Sequence, residues 1–390
     1  MEYRYHGTDI DGPTLNPEEL YVRNRNLNDL IGNLTFTGAI YHLLTGKEPT
    51  PSQEQLLDRY LASALFSITE DDAVIDVIKT VVASGATYSQ AIIAGLMVNK
   101  MQSFEQTIAE FDLEAIGLVR DSLIGLYYIG IIPSLIAIAI ESIQLINEKK
   151  YDRKKNDAKR AKLTEEKDYI EAIFTLSTHR NFSNSTERKI FNDVMVSFHA
   201  GWGFLAPSVM LPRIATSTRV PIHQAIAAGF TGAGPSHVGA CEKAMEFFTT
   251  IHKHCSEEIE AVTIKILSER LAKKEKIYGF GHPMFKVDSR NPRLRSIISE
   301  LDLRSEFIQI YDITAEFLKE KLGIYPNIDS ISAAVFLSLG IKPLYGTGLF
   351  LCSRTSAMVA HIQEQKDKPP FGATSQEIRK WFGPFAVGRK

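Results

Sequence analysis

Between Asp121 and Glu141 the chain reads SLIGLYYIGIIPSLIAIAI, without a charged residue, and this run restricts the possible folds more than any other stretch. It is nearly long enough to cross a bilayer, which takes about 20 apolar residues. Pro133 divides it, however, and its flanks carry no concentrated basic cluster. A large helical protein needs at least one helix that is apolar all round, because that helix is covered on every side. The run is therefore read as a pair of buried helices meeting at Pro133, not as a membrane span. With 390 residues the chain can bury such a pair in a core of two or three compact units.

Helical spacing recurs along the rest of the chain. AIYHLLTG, EQLLDRYLASALF, QAIIAGLMV, EEIEAVTIKILSERLAKKE and RSEFIQIYDITAEFLKEKLG all place apolar residues three or four apart. Convincing strands are few. Plausible caps punctuate the helices: in LLTGKEPTPSQEQ, Gly46 is placed to stop one and Thr50-Pro51 to start the next. The strongly charged run from Glu148 to Asp168 reads as a solvated helix or loop, since its interleaved acids weaken it as a phosphate-docking patch. The expectation is an all-α protein.

The overall balance narrows the partners. Lys and Arg total 44 against 46 Asp and Glu, a net charge of -2, which supplies no field for a nucleic-acid backbone or an acidic membrane. Three cysteines, Cys241, Cys255 and Cys352, sit in no CxxC spacing, so a reducing compartment is expected. The N-terminal MEYRYHGTDIDG lacks the basic start and apolar run of a signal peptide, which points to the cytoplasm. His252, His254 and Cys255 lie close together in IHKHCSEE, but helical spacing turns the two histidines to different faces, so they are read as surface residues with no metal between them.

Polar residues gather among glycines in three places. In TGAGPSHVGACEKAMEFF, a helix begins just after His237; its unpaired N–H groups and partial positive charge favour a neutral imidazole, able to donate to a developing enolate oxygen. A structural histidine bonded to a loop carbonyl fits these features equally. In IYGFGHPMFKVDSRNPRLR, Gly279 and Gly281 let the backbone approach a ligand, His282 precedes a proline, and Arg290, Arg293 and Arg295 follow. A substrate with carboxylates or phosphates suits that cluster. In GIYPNIDSISAAVFLSLGI, Asp329 leads into an apolar helix, where N-capping accounts for an aspartate without any chemistry. Farther on, Arg354 lies within the apolar LFLCSRTSAMVAHIQEQ, where a cation needs an anionic partner or ligand.

Taken together and in this order, GPSHVGACE, GFGHPMFK with the following DSR, and YPNID resemble the catalytic motifs of the citrate synthase family. LTFTGAIYHLLTGKEPT and GLFLCSRTSAMVAHIQEQ add weaker likenesses, and the resemblance extends with interruptions from YRYHGTDI to the last helices. It implies an all-helical homodimer whose subunit has a large domain (1–239 and 331–390) and a smaller one (240–330) closing over the substrates, with 148–168 as a charged linker or surface helix. It also implies roles. Asp329 would take a proton from the acyl methyl, His237 would hydrogen-bond the enolate and His282 would polarise the acceptor ketone, a sound division because a carboxylate needs the enolate stabilised as it forms. Arg290, Arg354, His199 and Trp202 would face the oxo acid, and Gly279, Phe280 and Gly281 the CoA thioester. No tightly bound cofactor is implied; acetyl-CoA or another acyl-CoA and oxaloacetate or a related 2-oxo acid are the substrates.

Two positions depart from the family pattern. Trp202 stands where a histidine normally contacts the oxo acid, and Gly383 where an arginine is usually contributed across the dimer. At about 1.5–3 kcal/mol per hydrogen bond to a charged group, losing both would weaken oxaloacetate binding roughly a hundredfold or more. Arg379, Lys380, Arg389 and Lys390 lie near enough in sequence to Gly383 to compensate, while an aromatic in place of the imidazole suggests a larger or less charged acceptor. GFGHP with PRL, and NIDSISAAVFLSLG, are similar to the citryl-CoA lyase branch, which would run the carbon–carbon bond step in reverse. A non-catalytic CoA-binding relative is the remaining alternative.

Overall fold

The uncharged run forms one helix, not two. The computed structural model describes residues 4–5, 7–68, 73–99, 111, 113–118, 120–147, 167–203, 205–255 and 258–368, and in it Arg120–Asn147 runs as a single helix through Pro133. A proline breaks helices partly because it has no N–H for the carbonyl four residues earlier. Here that carbonyl, on Ile129, accepts instead from the Tyr169 hydroxyl at 2.7 Å. The break expected at Pro133 is mended by a side chain forty positions beyond Ile129 in sequence. The helix is long and apolar enough to cross a membrane, but 94% of its most apolar window is buried within the protein. Helices Pro51–Phe66, Ala73–Ala83, Tyr88–Val98, Tyr169–Thr178 and Gly346–Lys366 cover it.

Local signals work as expected at several helix ends. Gly46, at φ 76°, stops Phe36–Thr45, and Thr50 opens Pro51–Phe66 with a capping box to Gln53. Of the charged run, residues 148–166 lie outside the described residues. Its last residue, Asp168, caps Tyr169–Thr178 by accepting from Glu171 N at 3.0 Å.

A small antiparallel sheet near the N-terminus, not anticipated from the sequence, has the order β1 (Asp11–Leu15), β2 (Glu18–Val22), β3 (Arg25–Asn26). Its strands are too short for a clear alternation, and β1 contains Gly12 and Pro13. The register pairs Asp11 with Val22 and Leu15 with Glu18, placing the Asp11 carboxylate inside and Glu18 at the hairpin end. There Glu18 accepts from Lys286 N at 3.0 Å and Val287 N at 3.2 Å, tying the sheet to the loop that follows His282.

The helix that carries Asp329, Ile328–Ser338, packs on Ala240–His254 and Glu306–Leu322 and also touches Ser185–Ser197 and Arg290–Glu300. The boundary expected between 330 and 331 falls inside this continuous helix, whereas the one expected at 239 coincides with the start of Ala240–His254.

Candidate active site

One cavity of about 390 Å³ gathers most of the residues singled out in the sequence. His237, His282 and Asp329 line it together. So do Arg290, Arg354 and Trp202, with Gly279, Phe280 and Gly281 along one wall. The rest of the lining mixes apolar Leu205, Ala206, Val238, Ile328 and Phe350 with polar Ser236, Tyr278 and Asn327 and a third cation, Lys276.

His237 sits on a tight turn in which Gly234 O accepts from both His237 N, at 2.9 Å, and Gly239 N, at 3.2 Å. The turn forces the next residue, Val238, to φ 72°. A β-branched side chain there costs about 1–3 kcal/mol, strain that the surrounding contacts must hold. The His237 Nε2 atom accepts from Ser208 N at 3.4 Å and lies 2.9 Å from Ser208 Oγ. A backbone N–H can only donate, so Nε2 is the acceptor and the ring proton is on Nδ1. The helix N-terminus that fixes the imidazole is thus that of Pro207–Ser217, not that of the helix following His237 as the sequence suggested. Burial, reinforced by the Arg354 charge, pushes this histidine down to about 4. It is a neutral donor throughout the physiological range.

His282 is mounted the opposite way round. Its Nδ1 accepts from Met284 N at 3.2 Å and Phe285 N at 3.0 Å, so the proton is on Nε2. Burial lowers its basicity; Asp288 opposes this and Arg290 assists it. The glycine loop before it zips onto the YPN segment: Gly281 N donates to Tyr325 O at 2.7 Å, Asn327 N to Gly279 O at 3.0 Å, and Asn327 Nδ2 to Gly281 O at 2.7 Å. Gly279 has φ 83°, and a Cβ there would come within 2.8 Å of Ser330 N, so only glycine lets the two motifs meet.

Asp329 is not the helix cap. Asn327 holds that position, accepting from Asp329 N at 2.9 Å, which leaves the aspartate side chain for other uses. Among the described residues, no donor reaches Asp329 Oδ1, an atom sealed from solvent. Desolvation pushes the carboxyl up to about 7, with Asp288 adding to the rise and Arg290 and Arg354 restraining it. A carboxylate so tuned is a competent base near neutrality.

The arginine cluster disperses. Arg293 donates to Ile31 O and Arg295 to Asp312, both away from the cavity. Arg290 reaches the cavity, but Asp288 already takes its fork, Nε to Oδ1 at 2.9 Å and Nη2 to Oδ2 at 2.8 Å. Asp288 Oδ2 also accepts from Ile328 N at 3.0 Å, anchoring the helix of Asp329. Arg354, only 2% exposed, rests over the Phe350 ring at 4.9 Å; its Nε and Nη1 meet no acceptor among the described residues.

Trp202 lies with its ring 4.7 Å from that of His282 and with the Arg290 guanidinium 5.8 Å away. Asp11 clamps the loop on both sides of it, accepting from Gly201 N at 2.5 Å and Gly203 N at 2.7 Å. Burial pushes the Asp11 carboxyl up, but His361 and those two N–H groups outweigh it and hold the group below the usual range. The loop passes through Trp202 at φ 61° and Gly203 at φ 59°, and it presents Trp202, not His199, to the cavity. His199 is a correction to the expected lining: it is buried behind, stacked on Phe36 at 5.1 Å, with burial pushing it down to about 3. The region of Gly383, Arg379, Lys380, Arg389 and Lys390 lies outside the described residues. His252 pairs with Glu306 and His254 with Thr250 O, separate engagements on their own helix and its neighbour.

A model of the family described as "Citrate synthase, C-terminal domain" matches residues 4–373. The chain belongs to the citrate synthase family. Over 373 residues it is 25% identical to the "Citrate/2-methylcitrate synthase" of Bacillus subtilis, a match covering 89% of this chain and 86% of that one. It is 31% identical to the "Citrate synthase" of Heyndrickxia coagulans over 46% of this chain, spanning about half of that relative's length, 48%. Among solved structures, the ternary complex of citrate synthase from Thermoplasma acidophilum with carboxymethyl coenzyme A and oxaloacetate superposes at a TM-score of 0.70, covering 94% of this chain and 91% of that one at 20% identity. That likeness shows the all-α citrate synthase fold.

Within this family frame, the sequence reading missed Ser208, Asp288, Asn327 and Asp11. Asn327 and Asp288 had a local signal, each lying two residues before a selected position, Asp329 and Arg290. Ser208 and Asp11 had none, because each acts on a loop distant in sequence.

Proposed function

We propose that this citrate synthase relative condenses an acyl-CoA, most simply acetyl-CoA, with a 2-oxo acid through an enolate and then hydrolyses the resulting thioester. The observation that carries this is one cavity holding a desolvated carboxylate and two neutral imidazoles of opposite tautomer. Asp329 takes a proton from the acyl methyl while His237 Nδ1–H donates to the thioester oxygen, stabilising the charge where it develops. The enolate carbon then attacks the ketone carbon, and the ketone π pair becomes an alkoxide. His282 Nε2–H donates to that oxygen, which takes up one proton for the one removed. Water cleaves the new thioester and releases CoA. Arg354 holds the acceptor carboxylate, and the Gly279–Gly281 backbone borders the thioester arm.

Assembly as a homodimer and residence in the cytoplasm belong to the same reading. Purified protein supplied with acetyl-CoA and a panel of 2-oxo acids should release free CoA. Silence towards every acceptor, with no exchange of the acetyl-CoA methyl protons in heavy water, would sink the proposal. Cleavage of a citryl-type thioester without hydrolysis would replace this direction with its reverse.

A further inference from the structure

Trp202 stands at φ 61°, a left-handed conformation that a bulky side chain adopts only where its surroundings impose it. Here a carboxylate imposes it. Asp11, on the N-terminal sheet and 0% exposed in its side chain, accepts from Gly201 N at 2.5 Å and Gly203 N at 2.7 Å, one N–H on each side of the tryptophan. A third donor is His361 Nε2, at 3.1 Å. His361 in turn is oriented from behind. Its Nδ1 lies 2.6 Å from Arg213 Nη1, and a guanidinium only donates, so Nδ1 accepts and the ring proton is on Nε2, facing Asp11.

The side chains of Arg213, His361 and Asp11 are all sealed from solvent, and a buried carboxylate is costly unless donors surround it. The N-terminal segment does not need Asp11 to hold it in place: Glu364 already accepts from Thr8 Oγ1 at 3.1 Å and Asp9 N at 2.7 Å. Two of the three donors to Asp11 belong instead to the Trp202 loop. What the loop presents is an indole on the acceptor side of the cavity, stacked on His282 at 4.7 Å and packed against Phe285 at 4.8 Å. His237 is mounted separately, on Ser208.

We propose that Asp11 and His361 are positioning residues for the acceptor half of the reaction, acting through the backbone of Gly201 and Gly203 on Trp202 and through its ring on His282. The proposal rests on the condensation reading above and adds to it two residues that do not line the cavity. His361 lies seven residues, two helical turns, beyond Arg354 on the same helix, so one element carries both the cavity arginine and the anchor of the loop.

The test gives the full-length protein acetyl-CoA and whichever 2-oxo acid of a panel releases most CoA, and follows methyl-proton exchange in heavy water in parallel. Asp11→Asn sets an amide N–H against a loop N–H. Its kcat/KM for the acceptor should fall about 10- to 100-fold, the weight of one hydrogen bond to a charged group, while exchange stays within about twofold. His361→Leu should behave alike, and His361→Gln, which keeps a donor towards Asp11, should recover most of the loss. Trp202→Ala should itself lower CoA release, and in that background Asp11→Asn should cost less than about twofold more, since no indole is left to position. With Trp381, the other tryptophan of the chain, replaced by Phe, the Trp202 emission should shift in Asp11→Asn and not in His361→Gln. Equal losses of exchange and release, a full further loss in the Trp202→Ala background, or unimpaired release by Trp202→Ala overturns the proposal and leaves the condensation reading standing. Should Asp11→Asn fail to fold, the His361 pair and Trp202→Ala decide by the same criteria. Exchange without CoA release from any acceptor in the unaltered protein overturns the proposal alone; absence of both overturns the condensation reading and the proposal with it.

Discussion

The two histidine loops, 234–239 and 279–287, reach one cavity by different means. His282 is fixed within its own turn, by the N–H groups two and three residues farther along. His237 is fixed by Ser208, twenty-nine positions earlier, at the start of another helix. The outcome is a pair of neutral imidazoles with opposite tautomers, one presenting Nδ1–H and the other Nε2–H. The difference teaches that the donor proposed for the enolate depends on long-range packing, whereas the donor proposed for the acceptor ketone is built into a short stretch of chain.

Removing the base that serves both loops should have the largest effect. Asp329→Asn is expected to lower kcat by about 10²–10⁴-fold, the contribution of a positioned general base, with methyl-proton exchange as the readout. The same change should raise the melting temperature. The folded-state carboxyl is pushed above its unfolded value, so the buried charge costs stability progressively as pH rises from the ordinary carboxylate range through about 7. The gain over the unaltered protein should be full at pH 8 and vanish towards pH 4, as thermal melts at the two pH values would reveal.

Next in size, each histidine can be removed by itself. His237→Gln and His282→Gln should each cost about 10²–10³-fold in CoA release, as for a single donor to a developing oxyanion. Only His237→Gln should suppress methyl-proton exchange. If His282→Gln suppresses exchange equally, the division of labour between the loops is wrong.

A pH profile separates the base from its donors. With Asp329 near 7 and His237 near 4, kcat/KM should fall about tenfold per pH unit below 7, from protonation of the base alone. In Asp329→Asn the residual rate should lose this limb. A limb near 7 that survives the substitution would assign the titration elsewhere.

The smallest expected effect probes the long-range mount. Ser208→Ala removes the hydroxyl at Nε2 but keeps the backbone N–H, so kcat should drop about 2- to 10-fold, the equivalent of one ordinary hydrogen bond. The rate of methyl-proton exchange should fall in step. A loss confined to the acceptor KM would break the assignment of Ser208 to the enolate side.

Much of this protein was legible in its sequence where the cause is local. Helical periodicity, the Gly46 stop, the Thr50 capping box and the three glycine-flanked motifs all depend on neighbours within a few residues, and the motifs together point to the family. The misreadings share the opposite character. Pro133 was expected to split a helix that Tyr169 completes, the capping role that could have accounted for Asp329 without chemistry belongs to Asn327, and the N-terminal sheet was too short to show a pattern. His199 was expected beside the substrate, but the left-handed turn at Trp202 and Gly203, clamped by Asp11, presents the indole to the cavity and leaves the imidazole buried behind it.

The sequence by itself determined the helical fold, the family and the residue types able to perform enolate chemistry, because apolar period and motif order are properties of the chain. Only the tertiary structure decided which nitrogen of His237 carries its proton, that Asp288 takes the fork of Arg290, and that Arg354 keeps donors without an acceptor among the described residues. Tautomer and free charge are properties of contacts between segments. Burial then makes each such contact decisive, since a donor or a charge removed from water must find its partner in the protein or in the substrate.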